Sequence, residues 1–167
     1  MTLQIRLATE TDLDRIEMIE NTADRLFIEA FQAENWPAAD PAAERAKSPG
    51  FLLVGEQEGA DVIGFVHMLE VDGHAHLEQL SVLPEAGRRG YGQALTKAAL
   101  GEAKKRGYTE VSLRTYADLP WNGPFYARLG FVETEPATEF LRSLVQVEHE
   151  LGLDAYGRRA QMNISLV

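Results

Sequence analysis

Between Leu83 and Leu100 the chain reads LPEAGRRGYGQALTKAAL, with Gly87, Gly90 and Gly92 interleaved with Arg88 and Arg89 just where an alanine-rich amphipathic run begins. The first turn of a helix carries unpaired N–H groups and about half a positive charge. Glycines there remove the side chains that would hold a ligand away from those donors, and guanidiniums add fixed charge that forks onto phosphate oxygens. A strand, a glycine-rich turn and a helix are the parts of a diphosphate cradle. The spacing is not that of a P-loop, because no Gly-Lys-Ser/Thr triplet occurs. A dinucleotide fingerprint would need a third glycine where Leu95 stands, and would follow the first strand of its unit.

The surrounding pattern predicts the elements that position this turn. LQIRLA (Leu3–Ala8) reads as a strand, and Thr9 or Thr11 caps a helix whose stripe is Leu13, Ile16, Ile19, Ala23, Leu26 and Phe27. Residues 35–50, with three prolines, form a loop holding at most one short helical piece. FLLVGE and DVIGFVHMLEV are strands joined through QEGA, and Asp72–Gly73 turns the chain into the strand HAHLEQLSVL. A helix from Gly90 to Arg106 follows, with Tyr91, Ala94/Leu95, Ala98/Ala99 and Ala103 inward and Gly107 as its stop. EVSLRTY is a strand, LPWNGPFYARLGF a loop entering a short helix, FVETE a strand, TEFLRSLVQVEHELGL a helix and RAQMNISLV a closing strand. Three antiparallel strands ahead of βαβ crossovers predict a mixed α/β sheet.

Bulk properties narrow the functions available. A chain of 167 residues, 45% apolar and 25% charged, suits one domain spanning 1–167. The absence of cysteine excludes disulfides, thiolate nucleophiles and cysteine-based zinc sites. A net charge of −10 argues against nucleic acid as a partner, since phosphate contact needs a basic footprint. No stretch approaches the apolar length of a membrane span and the N-terminal residues lack a signal-peptide pattern, so a cytoplasmic location without membrane contact is the expectation. His67 and His74 have no ligand-like spacing to acidic residues, so no metal site is expected, and VEHE (Val147–Glu150) reads as a solvated helix face.

LSVLPEAGRRGYGQALTKAAL resembles the acetyl-CoA-binding segment of the GCN5-related N-acetyltransferase (GNAT) superfamily, and NGPFYARLGF resembles that family's second signature, about 36 residues downstream. The element order matches that fold, so the resemblance spans nearly the whole chain. It implies a mostly antiparallel six- to seven-stranded mixed sheet, flanked by helices and splayed between strands four and five. It also implies acetyl-CoA as acetyl donor and a small-molecule or peptidyl amine as acceptor. Homodimers are common among such proteins. The pantetheine arm would pair with backbone groups of Leu80 and Val82, and the diphosphate would rest on Arg88, Arg89, Gly90, Gly92 and Gln93. Two positions depart from the pattern. Gly87 occupies the family's Gln/Arg position, and Leu119 stands where many members carry asparagine, leaving Asn122 to substitute from another place.

Amine acetylation sets two proton problems. An amine of pKa ~10.4 is neutral in about one molecule in 2,500 at pH 7, a cost of roughly 4.6 kcal/mol that a local base reduces. Alternation along HLEQLSV places Glu78 on the side of His76, Leu80 and Val82, making Glu78 the first candidate base, with His76 or water as alternatives. The leaving thiolate needs a proton, and Tyr126 occupies the family's acid position. Arg114 and Tyr116 share a face with Ser112 and are candidates to line the acceptor pocket, with Trp36 and Trp121 as walls. A module that binds acyl-CoA without turnover is the alternative reading.

Overall fold

The structure is a computed structural model describing residues 3–57 and 59–167; Met1, Thr2 and Glu58, the last within the expected QEGA turn, lie outside the described residues. Strands β1 (Leu3–Leu7), β2 (Gly50–Gln57), β3 (Val62–Val71), β4 (His74–Val82), β5 (Glu110–Tyr116), β6 (Val132–Thr134) and β7 (Arg159–Ser165) form one sheet in the order β1-β2-β3-β4-β5-β7-β6. Every pairing is antiparallel except that of β4 with β5. This is the mixed sheet expected. The insertion of β7 between β5 and β6 was not readable from the sequence, because strand pairing across α6 (Glu139–Glu150) is a non-local choice.

Alternation along the inner strands builds two apolar faces. Phe51, Leu53, Val66, Met68, Ala75, Leu77, Val111 and Leu113 pack with Leu95, Ala99 and Ala103 of helix α4 (Tyr91–Lys105). The alanines bring α4 close to the sheet, and buried Thr96 closes its hydroxyl onto the Gly92 carbonyl at 2.8 Å. Helix α4 stops as expected. Gly107 takes φ +96°, and the N–H groups of Gly107 and Tyr108 donate to the carbonyls of Lys104 and Ala103. On the opposite face, Ile16 and Ile19 of α1 (Leu13–Ala23) cover Leu52, Val54 and Phe65, beside Ala42 of α3 (Ala42–Lys47).

The first helical region differs from the expected single stripe. It divides at Asp24 into α1 and α2 (Arg25–Phe31), and Leu26 is exposed. Beyond the break, Phe27 and Phe31 belong to an aromatic group with Trp36 and Tyr116 rather than to the sheet core.

One irregularity of β4 governs the site. Opposite His67 and Met68, β4 advances from Gln79 to Leu77, so Glu78 is an extra residue, a β-bulge. The bulge reverses the parity of the strand: Ala75 and Leu77 face α4, and beyond the bulge so do Leu80 and Val82. The expected shared face is therefore right for His76 and Glu78 and wrong for Leu80 and Val82, since strict alternation fails at one inserted residue. Because Leu95 is fully buried between α4 and the sheet, Leu95→Ala should cost about 3 kcal/mol, read as a lower urea midpoint at unchanged slope.

Candidate active site

Strands β4 and β5 pair only through Ala75–Val111, His76–Ser112 and Leu77–Leu113. Beyond Leu77 the edge of β4 that faces β5 has no strand partner among the described residues, and the two strands diverge around a gap. Two cavities meet there. The larger, about 810 Å³, is lined by Leu80 and Val82 of β4, the turn before α4 and helix α5 (Gly123–Arg128). The smaller, about 240 Å³, is lined by Glu78, Arg114 and Tyr116 together with α1, the loop after α2 and β7. Asp24, Phe27, Gln79, Leu80, Asn122 and Tyr126 border both.

The turn before α4 has the donors that its sequence promised. Among the described residues, the main-chain N–H groups of Arg88, Arg89, Gly90, Tyr91, Gly92 and Gln93 have no acceptor within the protein, and the first helical bond of this turn runs from Ala94 to the Gly90 carbonyl. Gly90 is left-handed at φ +79°, a conformation that glycine adopts without strain. Arg88 is also left-handed at φ +62°. Arg88, Gly90, Gly92 and Gln93 border the large cavity, whereas Arg89 does not. Gly87 has a different part, donating its N–H to the Pro84 carbonyl at 3.0 Å and so closing the preceding turn. Tyr91 anchors the helix start through its hydroxyl, which accepts from Gln57 Nε2 at 2.8 Å.

Tyr126 and Asn122 come from the start of α5. Tyr126 is 7% exposed, packs edge-on against Phe125 and Phe131, and its phenol is pushed well above the ordinary range by burial. Asn122 is committed to architecture: its Oδ1 accepts from the Tyr116 N–H at 3.0 Å, tying the entry of α5 to the end of β5.

The small cavity is charged and aromatic. Burial pushes the Glu78 carboxyl up to about 7, and the part of its side chain that stays accessible faces this cavity. His76, 2% exposed, shares a 2.8 Å hydrogen bond between Nδ1 and Ser112 Oγ, and its Nε2 lies 3.9 Å from Glu78 Oε2. Burial and the nearby Arg114 charge push His76 down to about 4, away from the range in which an imidazole is an effective base near neutrality. Arg114 and Arg159 each donate twice to Glu148, at 3.0–3.1 Å. Burial opposes the charge on Glu148, yet these guanidiniums hold its carboxyl below the usual range. Glu148 is thus a buried clamp and not the solvated residue expected of VEHE, because α6 lays it over β5 and β7; its neighbour His149 does face solvent. Tyr116 lies against Phe27, Phe31 and Trp36, with the Arg159 guanidinium 4.4 Å above its ring.

Sequence reasoning missed Asp24, Glu20 and Arg45. Arg45 donates to Glu20 Oε1 at 2.9 Å and reaches His67 Nδ1 at 2.9 Å, a buried network assembled from α1, α3 and β3. Asp24, 8% exposed, is raised to about 6 by burial, against the influence of the Trp36 indole N–H. The proline-rich loop gave no signal for these partners, since their pairing depends on how α3 folds back over α1. Among the described residues no group of histidines and acids is arranged to hold a metal ion.

The raised carboxyls make a prediction about stability. Between the ordinary carboxylate range and about 7 the folded chain retains protons at Glu20, Asp24 and Glu78 that an unfolded chain has released. Their contribution therefore lowers stability as pH rises through that window. Glu78→Gln should flatten the decline of Tm between about pH 5 and about pH 7.5 relative to the parent protein; parallel curves would reject burial as the source of the shift.

Comparison with known proteins agrees with this geometry. The Acetyltransferase (GNAT) family profile matches residues 16–131. The mycothiol acetyltransferase of Clavibacter sepedonicus is 33% identical over 105 residues, which is 62% of this chain; the match covers only 34% of that relative. Among solved structures, the Escherichia coli ribosomal-protein-S18-alanine N-acetyltransferase superposes with a TM-score of 0.64 at 22% identity, over 99% of this chain and 94% of the other. The paia N-acetyltransferase of Thermoplasma acidophilum, solved with coenzyme A, gives 0.67 at 19% identity over 99% of both chains. At these identities the structural likeness is one of fold. The profile match over most of the length, carried on a seven-stranded sheet split between β4 and β5, places this chain in the GNAT acetyltransferase family.

Proposed function

We propose that this chain, acting as one domain over residues 1–167 in the cytoplasm, transfers the acetyl group of acetyl-CoA to a primary amine of a small molecule or peptide. The reading rests on the meeting of the two cavities at the β4–β5 gap, with Tyr126 bordering both. The unpaired donors from Arg88 to Gln93 fit a diphosphate, and the unpartnered edge of β4 at Leu80 and Val82 fits an amide-bearing pantetheine arm. Acetyl-CoA supplies the activated thioester.

The chain's residues address both proton problems. Glu78, with a carboxyl poised near 7, takes a proton from the incoming ammonium, directly or through water, and releases the neutral nucleophile. Its elevation makes it a stronger base than a surface glutamate while leaving a good fraction ionised near neutrality. Tyr126 remains protonated at any working pH because of its burial, so its O–H is available to the leaving sulfur. His76 supports Glu78 from the Ser112 side and stays neutral. Asn122 serves by holding α5, and hence Tyr126, against β5.

Acetyl-CoA should raise Tm where ATP and NAD do not, and a panel of amines should include acceptors that release free thiol. Stabilisation by ATP or NAD but not by acetyl-CoA would overturn the cofactor assignment. Tyr126→Phe should lower kcat by at least about tenfold with acetyl-CoA binding retained. In Glu78→Gln the acidic limb of the kcat/KM profile, expected near pH 7, should disappear, and an unmoved limb would remove Glu78 as base.

A further inference from the structure

Resting on the acetyltransfer reading, the walls of the smaller cavity narrow the acceptor. Four carboxylates border it: Glu20, Asp24, Asp40 and Glu78. Glu20 and Asp40 are paired with Arg45, at 2.9 Å and 3.6 Å. Arg114 and Arg159, the other cationic side chains of the wall, are both turned onto Glu148. Among the described residues this leaves Asp24 and Glu78 with no guanidinium or ammonium within ion-pair distance; Glu78 has only the neutral His76 beside it. Asp24 is more than nine-tenths buried and opens into both cavities. Phe27, Trp36 and Tyr116 complete the wall, with Phe27 and Trp36 stacked at 5.4 Å and nearly parallel. A desolvated carboxylate beside aromatic faces suits an ammonium joined to an alkyl chain. Arg114 and Arg159 each commit two N–H donors to Glu148, so the carboxylates of Asp24 and Glu78 are the better-placed charges for an acceptor.

We infer that the acceptor is a short alkyl diamine or polyamine, one ammonium facing Glu78 for acetylation and a second held by Asp24 against Trp36 and Phe27. About 240 Å³ is ample for a slender aliphatic chain that carries an ammonium at each end. The second charge fixes orientation, so that one end of the acceptor enters the gap.

The test compares 1,4-diaminobutane and 1,5-diaminopentane with 1-aminopentane, which replaces one ammonium by methyl, and with 4-aminobutanoate, in a thiol-release assay alongside calorimetry of acetyl-CoA binding. The better diamine should exceed 1-aminopentane in kcat/KM by about tenfold or more, with 4-aminobutanoate poorest. Asp24→Asn should bring the diamine-to-monoamine ratio close to one, chiefly through KM. Asp40→Asn, at an exposed position, should lower the same ratio by a smaller factor. Equal use of monoamine and diamine, preference for 4-aminobutanoate, or no turnover of either diamine while acetyl-CoA binds would overturn the acceptor assignment and leave the coenzyme assignment standing. A ratio unchanged in Asp24→Asn would overturn it as well, by showing that Asp24 acts on the transfer step itself or not at all. Absence of acetyl-CoA binding would instead fell the acetyltransfer reading and this inference with it.

Discussion

A parallel strand pair that stops after three residues is the constraint on which the rest of the structure depends. Up to Leu77 and Leu113 the two strands share a ladder; beyond it, their backbones must satisfy their polar groups some other way. The bulge at Glu78 coincides with the end of that ladder. It supplies the local twist that bends β4 away from β5, and it also determines what lines the gap. Before it, alternate residues of β4 face α4 in one phase; after it, in the other. A single inserted residue thus leaves Leu80 and Val82 toward the large cavity and Glu78 in the small one.

The two sides of the gap are built by different physics. On the α4 side, the core is apolar and tightly packed, with alanines at the helix–sheet contact and the helix N-terminus held open by a left-handed turn. That arrangement presents main-chain donors whose positions are set by secondary structure and whose direction does not depend on side-chain rotamers. On the opposite side, side chains do the work. Arg45 pairs with Glu20, and Arg114 and Arg159 share the one carboxylate of Glu148, in buried groups that remain rigid only because every partner is present. Among the described carboxylates of the small cavity, Asp24 and Glu78 differ from Glu20 and Asp40 in having no guanidinium within ion-pair distance. Burial raises both, which is the behaviour of groups suited to exchanging a proton or to accepting a cation from a ligand.

Much of this was legible in the chain. The glycine–arginine turn, the alanine stripe of α4, the Gly107 stop and the aromatic–tyrosine segment of α5 are local signals. They depend on backbone conformations and periodicities that a few consecutive residues specify. The apolar runs of β2 and β3 read as strands for the same reason. Alternation failed in β4, where parity is a property of the pairing with β3 and not of β4 alone. The helix break at Asp24, the burial of Glu148 and the network around Arg45 were equally hidden. Each joins segments far apart in the chain, and nothing in the composition of residues 35–50 or of VEHE distinguishes them from solvated stretches.

The sequence by itself determined the element order, a helix whose N-terminus is bare of competing side chains, and a tyrosine placed just inside a short helix after the fifth strand. These follow from turn chemistry, capping and periodicity, whose range is a handful of residues. Only the tertiary structure decided that the ladder ends at Leu77, that the bulge separates Glu78 from Leu80 and Val82, and that Asp24 opens beside Tyr126 with no cation paired to it among the described residues. The reason is that burial and charge compensation are properties of what surrounds a group. For these residues the surroundings come from α1, α3, α6 and β7, brought together only when the sheet closes.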